Sequence, residues 1–496
     1  MANPRETHYR WALGLIGVFL CLPPLFVRYA PLVDYPNHLA RTFILYHYKD
    51  FPAYQAEYYR LAEPIPNLAI DLVVPLLLRF AGILLAGKLF LLLTVLLFVA
   101  GCHRLGQAIH KQPTWLALPC SFFVYNSMLL YGFVNYVFGV GLFCLVLAYW
   151  LDWRKGWTIM RFLLIIILVL CAFLVHLSAY SFLAATSAFV AAWDVFTGKE
   201  RLVRAALSLA PLLLPVVLFI LFMRGSGQAG QIEWNSLSGK LIGLMALVLS
   251  YNRTLDALLL AALVLITLAT ARLVKRVQVV WPTFAAGLLF VLLYLLSPKV
   301  LFTSSGADVR FVLPAALLLI LSLRIELPLK AGKILLLAVL LVACVRVAFI
   351  WRTWIKLDQR IAAEVERLAV LPEEAKVYPV LVLSHNSQSA KLERPFEHIL
   401  HYATINRRAF VPTLYAIKGQ QPLLFRVKPH FIAPENDYAE QWQESAARWL
   451  PLLSEYDYVW AYGADAGLDQ ILESRCTRVY EADGFALWRV NVEAPQ

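Results

Sequence analysis

Apolar runs of about 20 residues recur from Trp11 to Trp351, separated by short connections rich in Lys and Arg. A run of that length satisfies its own backbone hydrogen bonds inside lipid only as a helix. The runs are continuous in Leu, Val, Ile and Phe and do not alternate with polar residues, which excludes a transmembrane β-barrel pattern. The whole chain is 60% hydrophobic and only 15% charged. A soluble fold of this size has no means of enclosing so much apolar surface. The expected class is an all-α polytopic membrane protein.

Eleven spans are expected, over 9–28, 84–103, 114–130, 133–151, 160–178, 179–196, 203–223, 254–273, 279–297, 310–324 and 333–351. The first follows a basic start (Arg5, Arg10) and has no small-residue cleavage site, so it reads as an uncleaved span with its N-terminus inside. The segment 67–82 is apolar but short, and it contains Asp71, Pro75 and Arg79. Charge decides its fate. The loops at 102–113, 152–161, 197–204, 272–276 and 324–333 hold 14 Lys and Arg, whereas the alternate loops hold five. The positive-inside rule puts the richer set in the cytoplasm. That requires 67–82 to lie at the outer interface, as an amphipathic helix in one long outer loop over 28–83. The segment 241–252 is also too short to cross.

The net charge of +12 conceals an asymmetry: the chain from Lys356 onward carries 15 basic and 19 acidic residues, so the basic excess sits in the membrane loops. It is a topology signal and not a nucleic-acid surface. The expected domains are a transmembrane domain over 1–352 and a small extracytoplasmic α/β domain over 353–496. In the latter, "KVYPVLVLS", "YDYVWAYG" and "GFALWRVN" read as strands, and 394–405 and 440–453 as helical stretches. Only Cys476 of the seven cysteines falls in that tail, and no CxxC pair occurs, so no disulfide framework or zinc site is indicated.

The stretch "LVDYPNHLAR" (32–41) places three ionisable groups directly after the first span. Pro36 suits a first helical turn. A helix running on from it puts Asp34, His38 and Arg41 at i, i+4 and i+7, on one face. One reading makes Asp34 a base, His38 a helper or ligand, and Arg41 an anion holder. The other makes Asp34 a helix cap, with His38 and Arg41 facing water. On the same expected outer rim lie His176, the turn "YNSMLLYGFVNY" with Asn135 and Tyr136, and the loop "SPKVLFTSSGADVRF" with Lys299, Asp308 and Arg310. A literal GxGxxG at Gly225, Gly227 and Gly230 follows a membrane helix and not a strand, which rejects a dinucleotide site. It reads as a mobile outer loop, a candidate lid, with Glu233 beside it. His398 and His401 lack a clear third ligand and favour packing or hydrogen bonding over metal binding.

Four stretches, "VDYPNHLAR", "NLAIDLVVPLLLRFAG", "YGFVNYVFGVGL" and "VRFVLPAALLLIL", resemble the GT-C superfamily of polytopic glycosyltransferases over most of 9–352. The resemblance implies an inverting enzyme that takes a sugar from a polyprenyl-phosphate carrier. It would transfer the sugar to an extracytoplasmic acceptor in a bacterial cytoplasmic membrane. It implies Asp34 as the catalytic base. His38, Arg41, His176, Lys299 and Arg310 become candidates for holding substrate or phosphate, and Asn135 and Glu233 accessory candidates. The acidic metal-binding pairs of some members are missing, so no metal or other cofactor is expected. The partners implied are the lipid-linked sugar donor, the acceptor and the bilayer. Two other classes fit the composition: a non-catalytic subunit of an envelope-polysaccharide assembly, and a lipid or sugar flippase. A flippase needs ionisable or broken-helix sites near mid-membrane, which are sparse here.

Overall fold

The computed structural model describes residues 4–61, 65–223, 232–301, 304–384, 387–431 and 448–491. Among the described residues, seven helices are long and apolar enough to cross a membrane: Glu6–Phe26, Ile83–His110, Val134–Trp153, Leu177–Phe196, Leu202–Leu221, Arg253–Ala271 and Leu329–Val370. Shorter apolar helices over Ala117–Leu130, Ile159–Val175, Trp281–Leu296 and Val309–Leu321 occupy the other four expected spans. The helix Ala69–Leu78 covers the segment assigned to the interface. So does Leu237–Leu247 for the second short segment. At 1.5 Å per residue, neither reaches across a core of about 30 Å. The fold is the expected polytopic helical one.

The chain divides into two compact units. The first comprises Met1–Leu25, Glu63–Ala69 and Leu89–Trp351. Its central helix, Val134–Trp153, is buried along most of its length. Helices Ile159–Val175 and Leu177–Phe196 pack against it. It crosses Ile83–His110 where Gly101 faces Gly141. A Cβ on Gly141 would stand 2.9 Å from the backbone nitrogen of Phe98, and one on Gly101 would collide with the Gly141 carbonyl. Small residues permit this close backbone approach, a common device where lipid supplies no hydrophobic drive. The basic loops are tied down by ion pairs, with Arg104 and Lys111 on Asp152 and Arg154 on Asp194.

The second unit gathers Phe26–Ala62, Ile70–Lys88 and Arg352–Gln496. The long segment after the first span therefore folds with the tail. The strand Tyr58–Arg60 pairs antiparallel with Leu423–Phe425. Asp358 accepts the backbone N–H groups of Arg28 and Tyr29. The Tyr54 hydroxyl donates to the carbonyl of Thr404 at 3.0 Å. The tail contributes a four-stranded sheet. Val377–Leu381 runs parallel to Tyr458–Tyr462, which pairs antiparallel with Phe485–Val490, and that strand pairs antiparallel with Cys476–Ala482. The three expected strands are present, and Cys476–Ala482 is an addition. Tyr378, Trp449, Val459, Leu468 and Trp488 close the core on one face. The helix of the last span continues to Arg367 and gives way only at Leu371, before Pro372, because the intervening residues contain no breaker. Of the stretch 440–453, residues up to 447 lie outside the described residues, and Leu450–Glu455 is a short 3-10 helix.

Candidate active site

Three short helices of the second unit carry the polar cluster: α1 (Tyr35–Tyr46), α2 (Ala69–Leu78) and α3 (His401–Arg407). Pro36 occupies the first turn of α1, as its fixed φ and missing N–H favour. Asp34 is the N-cap residue, yet its side chain makes no capping bond. His38 and Arg41 are buried, at 6% and 0% exposure. The reading in which Asp34 caps and the other two face water does not hold.

The Asp34 carboxylate instead meets the tail. The Tyr415 hydroxyl donates to Asp34 Oδ1 at 2.9 Å and also lies 3.2 Å from His398 Nε2. His398 Nε2 is 3.7 Å from the same carboxylate oxygen. The turn below fixes Tyr415 in place. Asn37 donates through Nδ2 to the carbonyl of Thr413 at 2.9 Å and accepts the backbone N–H of Tyr415 at 2.8 Å. His401 Nε2 completes this clasp, 3.1 Å from Asn37 Nδ2 and 3.2 Å from Thr413 Oγ1. Among the described residues, Asp34 Oδ2 has no hydrogen-bond partner.

Arg41 has a partner that the sequence reading did not assign to it. Its Nε donates to Asp71 Oδ1 at 3.1 Å and its Nη2 to Asp71 Oδ2 at 2.6 Å, a buried bidentate pair. Thr42 Oγ1 adds a third bond to Asp71 at 2.8 Å. Asp71 thus takes up the charge offered above to an incoming phosphate, and only Nη1 of Arg41 is left buried and unpartnered.

This division of charge sets the proton affinities. Burial pushes the Asp34 carboxyl up to about 7, the Tyr415 hydroxyl pulls it down, and Glu397 pushes it up again. Burial lowers His398 to about 4, so it is neutral at neutral pH. Burial also lowers His38 and His401 well below the ordinary imidazole range. The imidazoles beside Asp34 are therefore neutral and offer it no cation, and burial with Glu397 holds its carboxyl in the range useful to a general base.

The remaining candidates belong to the first unit. Tyr136 donates from its hydroxyl to the carbonyl of Arg310 at 2.7 Å, and its ring meets His176 edge-on at 5.7 Å. His176 caps Leu177–Phe196 by accepting the N–H of Ser178, and its ring is buried. Asn135 donates to the carbonyl and side chain of Asn67, at 2.8 and 3.0 Å. The Arg310 guanidinium lies over the Phe133 ring and donates to the carbonyl of Ser305, while its Nε is buried without a partner. Asp308 pairs with the buried Lys240 at 2.7 Å. Lys299 and Glu233 are exposed, and Glu233 forms a backbone bridge with Val300. Gly225, Gly227 and Gly230, with the lid expected there, lie outside the described residues. No group of three or more potential metal ligands occurs among the described residues.

Tyr415 and Asp71 escaped the sequence reading, whereas His398 makes the kind of hydrogen bond expected of it. The signal for Asp71 was an acid inside an apolar helix, which demands a partner. Tyr415 sits in a loop with no periodicity and gave no signal.

No family model matches the sequence, and no curated protein does. Solved structures do match. ArnT from Cupriavidus metallidurans bound to undecaprenyl phosphate aligns over 98% of this chain and 99% of its own, at 11% identity and a TM-score of 0.55. The apo state of the same protein aligns over 99% and 100%, at 12% identity and a TM-score of 0.53. The arabinofuranosyltransferase AftD from Mycobacteria aligns over 99% of this chain but 40% of its own, at 15% identity and a TM-score of 0.48. The two ArnT alignments run essentially end to end in both chains, and this protein shares the fold of ArnT.

Proposed function

We propose that the protein is an inverting glycosyltransferase that takes a sugar from a polyprenyl-phosphate carrier and passes it to an extracytoplasmic acceptor, with Asp34 as the general base. The observation that carries this reading is the state of Asp34. Its carboxylate is withheld from the helix it precedes, held through one oxygen by Tyr415, and unpartnered at the other. In a single displacement, Asp34 Oδ2 takes the proton of the acceptor hydroxyl as that oxygen bonds to the anomeric carbon. The bond from that carbon to the carrier phosphate breaks, and the phosphate leaves with the electron pair. Arg310, whose Nε is buried and unpartnered, is our first candidate for holding the phosphate. His176 and Lys299 follow it. Arg41 contributes at most Nη1, its remaining donors being spent on Asp71. The undecaprenyl phosphate bound to ArnT supports a carrier of this chemical class.

The test uses purified protein in vesicles, supplied with radiolabelled lipid-linked sugars extracted from bacterial membranes. Transfer into a lipid-free or newly glycosylated product is expected from the wild type and is abolished in Asp34→Asn, with the melting temperature retained. Full transfer by that variant removes Asp34 as the base.

A further inference from the structure

We infer that Tyr415 and His398, two tail residues more than 360 positions away from Asp34 in sequence, are positioning residues that aim the Asp34 carboxylate and hold one of its oxygens out of the reaction. This rests on the reading of Asp34 as the base. The tyrosine hydroxyl has one proton and two neighbours, Asp34 Oδ1 at 2.9 Å and His398 Nε2 at 3.2 Å. The shorter contact and the charged acceptor assign that proton to Asp34. The His398 proton then sits on Nε2 and points at the tyrosine oxygen, leaving Nδ1 as the buried, unpartnered ring atom. The result is a directed chain, from His398 Nε2–H to the Tyr415 oxygen, and from the Tyr415 hydroxyl to Asp34 Oδ1.

Two features make the chain rigid. Asn37 grips the backbone on both sides of residue 414, so Tyr415 has little freedom to swing away. Asn37 lies in the first turn of α1, which Asp34 caps, so the carboxylate and its clamp share one short stretch of backbone. The other ionisable groups nearby do not replace this contact. Glu397 raises the Asp34 proton affinity by its charge, His38 and His401 are neutral, and Arg41 is paired with Asp71. Tyr415 is the one group whose hydrogen bond favours the ionised form of Asp34. Once that oxygen is occupied, the acceptor hydroxyl is left Oδ2 alone.

The experiment follows the carboxyl stretching band of Asp34 by infrared difference spectroscopy in nanodiscs, assigned by its loss in Asp34→Asn. It is paired with the pH profile of transfer. In Tyr415→Phe the titration midpoint and the acidic limb should both move up by about one to two units, with a roughly 5- to 50-fold loss of rate at neutral pH, the equivalent of one charge-assisted hydrogen bond. Fluorotyrosine at 415, a stronger donor of nearly the same shape, should move the midpoint down, and it serves if the phenylalanine variant misfolds. His398→Gln, which keeps a donor near Nε2, should retain more rate than His398→Ala. Unchanged midpoints in both position-415 variants overturn the inference even where Asp34→Asn is inactive. Full transfer by Asp34→Asn overturns the proposed function instead, and the infrared titration still reports whether Tyr415 governs the carboxylate.

Discussion

Removal of Asp71 is the sharpest perturbation the second unit offers. Arg41 is fully buried, and Asp71 is 4% exposed at its side chain. The pair is bidentate, and Thr42 satisfies Asp71 further. Burying two charges gains little net stability, but removing one of them leaves the other without compensation in a poorly solvated place. That costs about 3–5 kcal/mol. For a unit of this size each kcal/mol shifts the midpoint by about 2–4 °C. Asp71→Ala should therefore lower the melting temperature of the second unit by roughly 6–20 °C. The fluorescence of the buried Trp449, Trp460 and Trp488 reports it. The double variant Arg41→Met with Asp71→Leu removes both charges and should regain most of the loss. A functional effect accompanies the structural one. Asp71 confines the Arg41 charge, and a released guanidinium near Asp34 would favour the carboxylate and move its titration down. A loss of less than about 1 kcal/mol in Asp71→Ala, the value of an ordinary surface pair, would refute the reasoning. So would a double variant as unstable as the two single changes combined.

Three further outcomes are expected. Transfer activity should fall as pH drops through about 7, because the base works only when ionised. The folded Asp34 binds its proton more tightly than the unfolded one, so ionisation costs stability as pH rises from about 4 to about 7 and remains a fixed penalty above. Asp34→Asn should match the wild type in melting temperature near pH 4 and exceed it above pH 7. Asn37→Ala removes the clasp on residues 413–415 and should cost about 2–4 kcal/mol in thermal unfolding, with lower activity. Gly141→Val drives a side chain into the backbone of Ile83–His110 and should lower the yield of folded protein in detergent, measured by size-exclusion chromatography, more than Gly14→Val, where the added Cβ meets nothing.

The helices were legible because lipid enforces one rule on every run, and a run of Leu and Val has no other soluble form. Loop charge alone argued that 67–82 does not span, and the helix found there has ten residues, too few for a bilayer core. The strands Val377–Leu381, Tyr458–Tyr462 and Phe485–Val490 announced themselves through Val, Tyr and Trp. The site was only half legible. Pro36 and the i, i+4, i+7 spacing pointed to the right turn of helix. The partners were hidden because their effect is long-range: Asp71 reaches Arg41 from another helix, and Tyr415 reaches Asp34 across most of the chain. Local periodicity contains no term for either. His398 and His401 looked like packing residues, and that is partly what they are. Their neutrality is what leaves Asp34 without a cation.

The union of the segment after the first span with the tail has a consequence for biosynthesis. Residue 34 leaves the ribosome long before its tyrosine, its histidine and the strand that pairs with Tyr58–Arg60. Until then α1 has no clasp, and its carboxylate has no fixed direction. A chain arrested after its last apolar helix would already be anchored, yet its Asp34 carboxylate would lack the Tyr415 contact. Synthesis through Leu423–Phe425 thus has to precede any fixing of that carboxylate.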